Sequence, residues 1–195
     1  MTTLLLSGSP SSPSRSTRVL EHVGKQLNAL GVQTTSLHIR DLPAQALLNA
    51  DFSDPELLAA KRLLEQAESV VIATPIYKAA YSGLLKSFLD VLPQDGLRGK
   101  TVLPIATAGG QSHFLALDYA FRPILAALSA FQVLPGIYAT DAQVVWNEDA
   151  GLYLDPALIK RIQDGIGAFH DSLMAQQFIR SMRDRKPELS LRCRA

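Results

Sequence analysis

Short apolar runs alternate with amphipathic segments along the chain. The first run, from Thr3 to Ser7, is unbroken and ends at Gly8, as expected for a strand covered on both faces of a sheet. After a polar loop, apolar residues recur at helical spacing and predict a helix with Ser16 as its N-cap and Gly31 as its stop. The residues of this stripe are Val19, Val23, Leu27 and Leu30.

The same alternation continues to the end of the chain. Further strands are predicted over residues 32–39, 69–74, 101–107 and 132–139. Further helices are predicted over residues 54–67, 84–92, 114–128 and 155–182. Two of these helices begin with an Asp-Pro pair, which is typical of helix starts.

This order of elements predicts an α/β fold. We expect a three-layer sandwich in which helices cover both faces of a five-stranded parallel sheet with the strand order 2-1-3-4-5. Ligands of such sheets bind at the C-terminal ends of the strands, where the strand order reverses. The loops after strands one, three and four meet there, and their compositions are the most unusual in the chain. They are therefore expected to form the functional site.

The composition is that of one globular domain. Of the 195 residues, 47% are hydrophobic and 19% are charged, so the chain can bury a core and disorder is not indicated. The net charge of +1 argues against a nucleic-acid binder, which needs a basic surface. Six basic and two acidic residues fall in residues 179–195, so we predict a single domain over residues 1–178 and a basic C-terminal tail over residues 179–195.

Cysteine usage and the N-terminal residues bear on the compartment. Cys193 is the only cysteine, which excludes an internal disulfide and a cysteine-based zinc site, and no histidine pair has metal-ligand spacing. The segment MTTLLLSGSP lacks the basic and long apolar parts of a signal peptide, and no apolar run is long enough to cross a membrane. We expect a cytoplasmic protein with no metal site and no membrane segment.

The loop after the first strand has the composition of a phosphate site. Seven hydroxyl side chains lie between Ser7 and Thr17, together with Gly8 and Arg15. Hydroxyls, helix N-terminal amides and a guanidinium group are suitable donors to a phosphate monoester. One glycine is too few for a P-loop or a dinucleotide fingerprint, so a terminal monophosphate is the better match. The alternative is an ordinary surface loop rich in serine and proline.

The loops after strands three and four have features that would suit a flat ring. Tyr77 and Tyr81 offer aromatic faces in the first of these loops, although both are also compatible with a place in the core. In the second, the paired glycines Gly109 and Gly110 let a ligand approach the backbone. His113 follows them and is either a functional histidine or an exposed residue at a helix start.

All three loops resemble one family. The chain is similar to the NAD(P)H-dependent FMN reductases of flavodoxin-like fold in the segments SGSPSSPSRST, TPIYKAAYSGLLKSFLD and ATAGGQSHFLALDYAFRPIL. Within that family it most resembles the reductase component of bacterial alkanesulfonate monooxygenase systems. The resemblance runs over about residues 3–140, and TPIYKAAYSGxLK is its most specific motif.

The resemblance implies which residues contact FMN. The phosphate would lie on the first loop, at Ser9, Ser14, Arg15 and Ser16. The isoalloxazine ring would lie against Pro75, Ile76, Tyr77 and Lys78 in the second loop. Its other polar edge would lie against the third loop, at Thr107, Gly109, Gly110, Ser112 and His113. Many relatives carry an arginine at the place of Ser11, so phosphate binding would depend more heavily on Arg15 here.

The resemblance also implies the reaction and its partners. Hydride would pass from the nicotinamide of NADPH, or alternatively of NADH, to flavin N5, so no catalytic side chain is expected. FMN would behave as an exchangeable substrate, and reduced FMN would leave for a flavin-dependent monooxygenase of sulfonate or organosulfur assimilation. Tyr119 matches an aromatic residue associated with a π-bulge and with subunit packing, so a homodimer or homotetramer is expected.

Other readings share the fold. A quinone, azo-dye or metal-ion reductase would keep FMN bound through turnover and pass electrons to a second acceptor. A flavodoxin-like electron carrier would also hold FMN tightly, but such carriers are usually acidic, unlike this chain with its net charge of +1. A non-enzymatic interaction protein would require all three loops to have no ligand.

Overall fold

A parallel sheet forms the centre of the molecule in the computed structural model, which describes residues 1–147 and 151–184. Its strands in chain order are β1 (Thr2–Ser7), β2 (Gln33–His38), β3 (Ser69–Tyr77), β4 (Ala80–Tyr81), β5 (Thr101–Ala108), β6 (Gln132–Val133) and β7 (Ile137–Thr140). The order is β2-β1-β3-β5, with β6 and β7 both paired parallel to β5 and β4 antiparallel to the end of β3. The predicted order 2-1-3-4-5 is therefore confirmed, since β5 is the fourth parallel strand and β6 with β7 the fifth.

Helices cover both faces of the sheet. They are α1 (Arg15–Ala29), α2 (Ala44–Leu48), α3 (Pro55–Gln66), α4 (Gly83–Asp90), α5 (Arg122–Ala127) and α6 (Pro156–Asp184). Leu4 and Leu6 of β1 belong to the core cluster shared with α3, α4 and α5, whereas Leu5 belongs to the cluster shared with α1 and α6. Both kinds of position need apolar side chains, which explains the unbroken apolar runs in the sequence.

The first helix has a different N-cap from the predicted one. Ser14 is the cap, and its Oγ accepts a hydrogen bond from the Thr17 backbone N–H at 3.4 Å. Ser16 lies in the first turn of α1, is fully buried, and has its Oγ 3.0 Å from that of Ser14. The run of serines offers several caps of similar chemistry, and burial of the first turn selects Ser14. At the other end, Leu30 is the C-cap and is half-exposed, so the buried stripe stops at Leu27.

The predicted helix over residues 114–128 and strand over residues 132–139 are each interrupted. The helical segment contains a π-helical turn at Leu117–Phe121, and the α-helical part is limited to α5. The strand breaks between β6 and β7, at residues 134–136. A Cβ atom on Gly136 would lie 2.8 Å from Leu117 Cδ1, so the π-helical turn packs directly on the break.

Two hairpins that were not predicted lie beside the carboxyl ends of the strands. The turn between β3 and β4 consists of Lys78 and Ala79, whose φ angles of 51° and 63° are left-handed, a conformation that favours glycine or asparagine. A second hairpin joins β8 (Val144–Asn147) to β9 (Gly151–Leu154). The Arg18 guanidinium of α1 stacks 3.7 Å from the centre of the Trp146 ring and attaches this hairpin to the helix.

The last helix extends into the predicted tail. Residues 179–184 continue α6, and the Arg180 guanidinium lies 3.3 Å from the Glu68 carboxylate. Cys193 and the basic residues of the tail beyond residue 184 lie outside the described residues, so the tail and the domain boundary at 178 stay predictions. Within the described residues, no helix combines the length and the apolar character needed to cross a membrane.

Candidate functional site

A buried junction joins the first loop to the second. The Gly8 N–H donates to the Ala73 carbonyl at 2.8 Å, and the Gly8 carbonyl accepts a hydrogen bond from the Ser82 hydroxyl. Ser82 is 1% exposed and caps α4, because its Oγ accepts from the Leu85 N–H at 3.0 Å. The Ser82 N–H in turn donates to Thr74 Oγ1 at 3.0 Å. One residue, through its hydroxyl and its backbone N–H, therefore fixes the first loop, the end of β3 and the start of α4 relative to one another.

Gly8 has no space for a side chain at this junction. A Cβ atom there would lie 2.8 Å from Leu85 Cβ and 3.4 Å from the Ala73 carbonyl oxygen. The Leu85 Cβ atom is attached directly to the backbone of α4, so it cannot move away at low cost. The glycine is required by the close approach of the loop to α4.

The hydroxyl groups of the first loop divide into two sets. Inside the fold, Ser7 Oγ and Thr17 Oγ1 are 2.8 Å apart and satisfy each other, and Ser16 is paired with Ser14. The wall of the cleft described below includes Ser14 and the buried Ser9, whose Oγ accepts from the Ser11 backbone N–H at 3.3 Å. The predicted phosphate residues therefore separate into Ser9, Ser14 and Arg15 in the cleft wall and Ser16 beneath it.

The carboxyl ends of β1, β3 and β5 form one cleft, as the sheet order predicts. It has a volume of about 200 Å³. Its lining residues from the first loop are Ser9, Ser11, Pro13, Ser14 and Arg15. The others are Pro75, Ile76, Tyr77, Thr107, Ala108, Gly109 and Asp141. The three loops singled out by their compositions are thus brought together in space.

Four other predicted site residues lie outside the wall of this cleft. Lys78 is exposed at the tip of the turn between β3 and β4. Gly110, Ser112 and His113 follow Gly109 along the third loop, and the last two belong to an exposed 3-10 turn. Their contacts with FMN, like those of Ser16 and of the residues in the cleft wall, stay predictions.

Tyr138 holds the third loop in place. Its hydroxyl donates to the Gly110 carbonyl, and its ring meets that of Phe114 edge to face with 5.6 Å between the ring centres. Burial raises the pKa of Tyr138 above its ordinary value, while the backbone of His113 acts in the opposite direction. The hydroxyl is therefore protonated at neutral pH and can donate. Tyr138 lies in the predicted fifth strand, where the sequence pattern marks only a core residue.

The two tyrosines of the second loop have different roles. Tyr77 lines the cleft and is 49% exposed, so a ligand in the cleft can reach it. Tyr81 is partly buried and packs on Phe121 with 5.5 Å between the ring centres. Burial also raises the pKa of Tyr81. Of the two alternatives left open by the sequence, Tyr81 takes the structural one and Tyr77 faces the cleft.

A fourth loop contributes an acidic residue that the sequence analysis missed. Asp141 follows β7 directly and lines the cleft, with one carboxylate oxygen 3.4 Å from Nη1 of Arg15. Arg15 Nε also donates to the carbonyl of Val144 at 3.2 Å. The only signal in the sequence was the position of Asp141 at the end of the last predicted strand. The cleft therefore contains one basic and one acidic side chain in contact.

The residues of the cleft fit FMN. The Ser9 and Ser14 hydroxyls, the Arg15 guanidinium and the N-terminus of α1 form a donor set for a phosphate monoester. The side chain of Tyr77 and the segment from Thr107 to Gly109, which ends without a Cβ atom, leave room for a planar ring beside the donor set. Fold and cleft together define a flavodoxin-like, FMN-binding protein.

Comparison with known proteins identifies the family. A model of the NADPH-dependent FMN reductases matches residues 1–144, and the chain belongs to this family. It is 42% identical to an FMN reductase (NADPH) of Pseudomonas putida KT2440, over 89% of this chain and 88% of that one. It is 46% identical to an FMN reductase (NADPH) of Escherichia coli K12, over 74% of this chain and 76% of that one. The expected enzyme class, an NAD(P)H-dependent FMN reductase using FMN and NADPH, is confirmed.

Three further similarities concern the reductant and the fold. The chain is 30% identical to the NADH-dependent FMN reductase SfnF of Pseudomonas putida, over 85% of this chain and 91% of that one. Among solved structures, the apo form of the NADH:FMN oxidoreductase EMOB matches with a TM-score of 0.79 and 35% identity, covering 88% of this chain and 89% of that one. A Streptococcus pneumoniae flavodoxin matches with a TM-score of 0.59 at 15% identity, which shows the shared fold alone.

Removal of the Ser82 hydroxyl tests the junction. Ser82→Ala leaves the buried Gly8 carbonyl and Leu85 N–H without this partner, so we expect the free energy of unfolding to fall by about 1–3 kcal/mol. Urea denaturation measures the change. Ser87→Ala is the matched control, because the Ser87 hydroxyl donates within its own helix, to the Leu84 carbonyl at 2.9 Å. Equal losses in the two variants would contradict the role assigned to Ser82.

Proposed function

We propose that this reductase takes FMN from solution, reduces it with NADPH and releases reduced FMN to a flavin-dependent monooxygenase of organosulfur assimilation. The observation that carries the exchange step is the exposure of the residues proposed to contact the two ends of the flavin. The proposed phosphate partner Arg15 has a side chain that is 53% exposed, and the proposed ring partner Tyr77 is 49% exposed. A flavin held by such residues can leave without unfolding of the site.

The side chains of the cleft position the flavin. Bound FMN supplies the redox chemistry by accepting the hydride. Among the described lining residues, the ionisable groups are Arg15, Asp141 and Tyr77, and the remainder are hydroxyl-bearing, apolar or backbone groups. Arg15 binds the phosphate, Tyr77 offers a ring face, and Gly109 lets the ligand lie close to the backbone. We propose no proton-transfer role for any of them.

The choice of reductant and partner rests on similarity. The relatives that are 42% and 46% identical both carry NADPH in their names, whereas SfnF, at 30% identity, carries NADH, so we propose NADPH as the preferred donor and NADH as a second one. The monooxygenase partner rests on the resemblance of all three loops to the reductase component of alkanesulfonate monooxygenase systems. A cytoplasmic location agrees with the single cysteine in 195 residues.

The FMN dependence of NADPH oxidation tests this proposal. Dialysed protein should oxidise NADPH, with oxygen as the final acceptor, in saturable proportion to added FMN and scarcely at all without it. The measurement is the decrease in NADPH absorbance under steady-state conditions. Activity that does not depend on added FMN, together with yellow protein after dialysis, would instead indicate a permanently bound flavin and a quinone or azo-dye reductase.

Substitution of Arg15 tests the phosphate site. Arg15→Ala removes a charged hydrogen-bond donor, so we expect FMN binding to weaken by about 1–3 kcal/mol. Flavin fluorescence titration measures the dissociation constant. Arg98→Ala is the control, because Arg98 pairs with Asp95 in the loop that leads into β5. This loop lies at the amino end of β5, whereas the cleft lies at the carboxyl ends of the strands. An unchanged FMN dissociation constant in Arg15→Ala would contradict the assignment of the phosphate site.

We also propose that Tyr119 lies at a contact between subunits. It belongs to the π-helical turn at Leu117–Phe121, and its side chain is 79% exposed. Leu115 and Phe114, which precede it, are 54% and 49% exposed. Such a cluster of exposed apolar side chains is typical of an interaction surface. A homotetramer, with a homodimer as the smaller alternative, would cover it.

Substitution of Tyr119 tests this contact. Tyr119→Ala removes the most exposed aromatic side chain of the cluster, so we expect a smaller molar mass by light scattering at the same protein concentration. Phe52→Ala is the control, since Phe52 is 59% exposed and lies outside this cluster, next to Lys61. An unchanged oligomer in Tyr119→Ala would count against the proposed contact.

A further inference from the structure

Arg15 is engaged by the protein itself at the place where FMN phosphate is proposed to bind. Its Nη1 lies 3.4 Å from Asp141 Oδ2, and its Nε donates to the Val144 carbonyl at 3.2 Å. Both Arg15 and Asp141 line the cleft. A phosphate group that approaches Arg15 therefore meets a carboxylate already in contact with the same guanidinium group.

The turn that carries Asp141 is well ordered by its own hydrogen bonds. Thr140 and Gln143 form a capping box around the 3-10 turn Asp141–Gln143, with the Thr140 N–H donating to Gln143 Oε1 at 3.2 Å. The Arg161 guanidinium donates to the same oxygen at 2.9 Å. The backbone of Asp141 is therefore held at the edge of the cleft, within reach of Arg15 for its carboxylate.

Charge makes the two ligands of Arg15 mutually unfavourable. A phosphate monoester carries about −1.5 to −2 charges at pH 7, and a carboxylate next to it repels it over the distances found within one cleft. The side chains of Arg15 and Asp141 are 53% and 44% exposed, so their ion pair is weak enough to be displaced. Binding of the phosphate to Arg15 therefore weakens the Arg15–Asp141 ion pair, and the ion pair weakens binding of the phosphate.

We propose that Asp141 competes with the FMN phosphate for Arg15 and thereby keeps FMN exchangeable. This inference rests on the proposed function, in which FMN enters and leaves in each cycle. Asp141 is then a positioning residue that acts through Arg15, and it lowers the affinity of the site for any ligand that carries a phosphate monoester. Ligands with the same ring but no phosphate are not affected by it.

Neutralisation of Asp141 should tighten FMN binding. Asp141→Asn keeps the size of the side chain but removes its charge, so we expect the FMN dissociation constant to fall by about three- to tenfold. The dissociation rate measured by stopped flow should fall by a similar factor, because affinity changes at one site are mostly changes in release. Raising the salt concentration should reduce the difference from the wild type.

Riboflavin and a matched variant separate this effect from a general change in the site. Riboflavin has the same ring and no phosphate, so its dissociation constant should be the same in wild type and Asp141→Asn. Asp95→Asn is the charge-matched control, because Asp95 lies 3.5 Å from Arg98 with 48% of its side chain exposed, outside the cleft. Asp141→Ser removes the same charge and should also tighten FMN binding. It replaces Asp141→Asn in these measurements if that variant is poorly folded.

A double-mutant cycle tests competition for Arg15 directly. In the Arg15→Ala background, Asp141→Asn no longer frees a guanidinium group, so its effect on the FMN dissociation constant should be smaller than in the wild type. An effect of equal size in both backgrounds would mean that simple repulsion, and not competition for Arg15, is responsible. That result would overturn the inference.

The possible failures are distinguishable. If wild-type NADPH oxidation depends on added FMN but Asp141→Asn and Asp141→Ser bind FMN no more tightly, the proposed function stands and this inference is wrong. If riboflavin binding tightens in the Asp141 variants as much as FMN binding does, Asp141 acts on the ring site and the inference is also wrong. If wild-type activity does not depend on added FMN, the exchange of FMN itself is refuted, and a role for Asp141 in that exchange with it.

Discussion

The architecture of the site depends on the buried hydroxyl of Ser82. It donates to the Gly8 carbonyl and accepts from the Leu85 N–H, and so ties the loop after β1 to the first turn of α4. Buried backbone groups without partners are costly, which makes this arrangement the one in which both segments are satisfied at once. Because the Ser82 N–H also bonds to Thr74 Oγ1, the end of β3 is set by the same residue. The phosphate side and the ring side of the cleft therefore cannot shift independently.

In the proposed cycle, binding and release of flavin are balanced on Arg15. A reductase that delivers reduced FMN to another enzyme needs enough affinity to orient the ring and little enough to let it go. In this proposal, an exposed guanidinium group shared between a phosphate and Asp141 provides both, since the weak ion pair with Asp141 replaces part of what Arg15 loses when the phosphate leaves. A buried and unshared arginine would bind FMN more tightly and suit a prosthetic group better.

The second loop is in packing contact with the π-helical turn that carries Tyr119. Tyr81 of the second loop packs on Phe121, which ends the π-helical turn that carries Tyr119. Leu117 of the same turn packs on Gly136, which lies in the break between β6 and β7. A subunit contact at Tyr119 would press on the segment that supports the ring side of the cleft. The proposed oligomer and the proposed flavin site thus share one structural element.

The sequence alone determined the order of elements, the parallel sheet and the three loops that meet at its edge, because apolar runs and helical stripes report burial along the chain. Motif similarity added the enzyme family. Only the tertiary structure decided which serine caps α1, which tyrosine of the second loop faces the cleft, and that Asp141 contacts Arg15 across 126 positions of the chain. The physical reason is that these outcomes depend on contacts between residues distant in sequence. Spacing within a segment records which face is buried, but it carries no information on which side chain from another loop will be its partner.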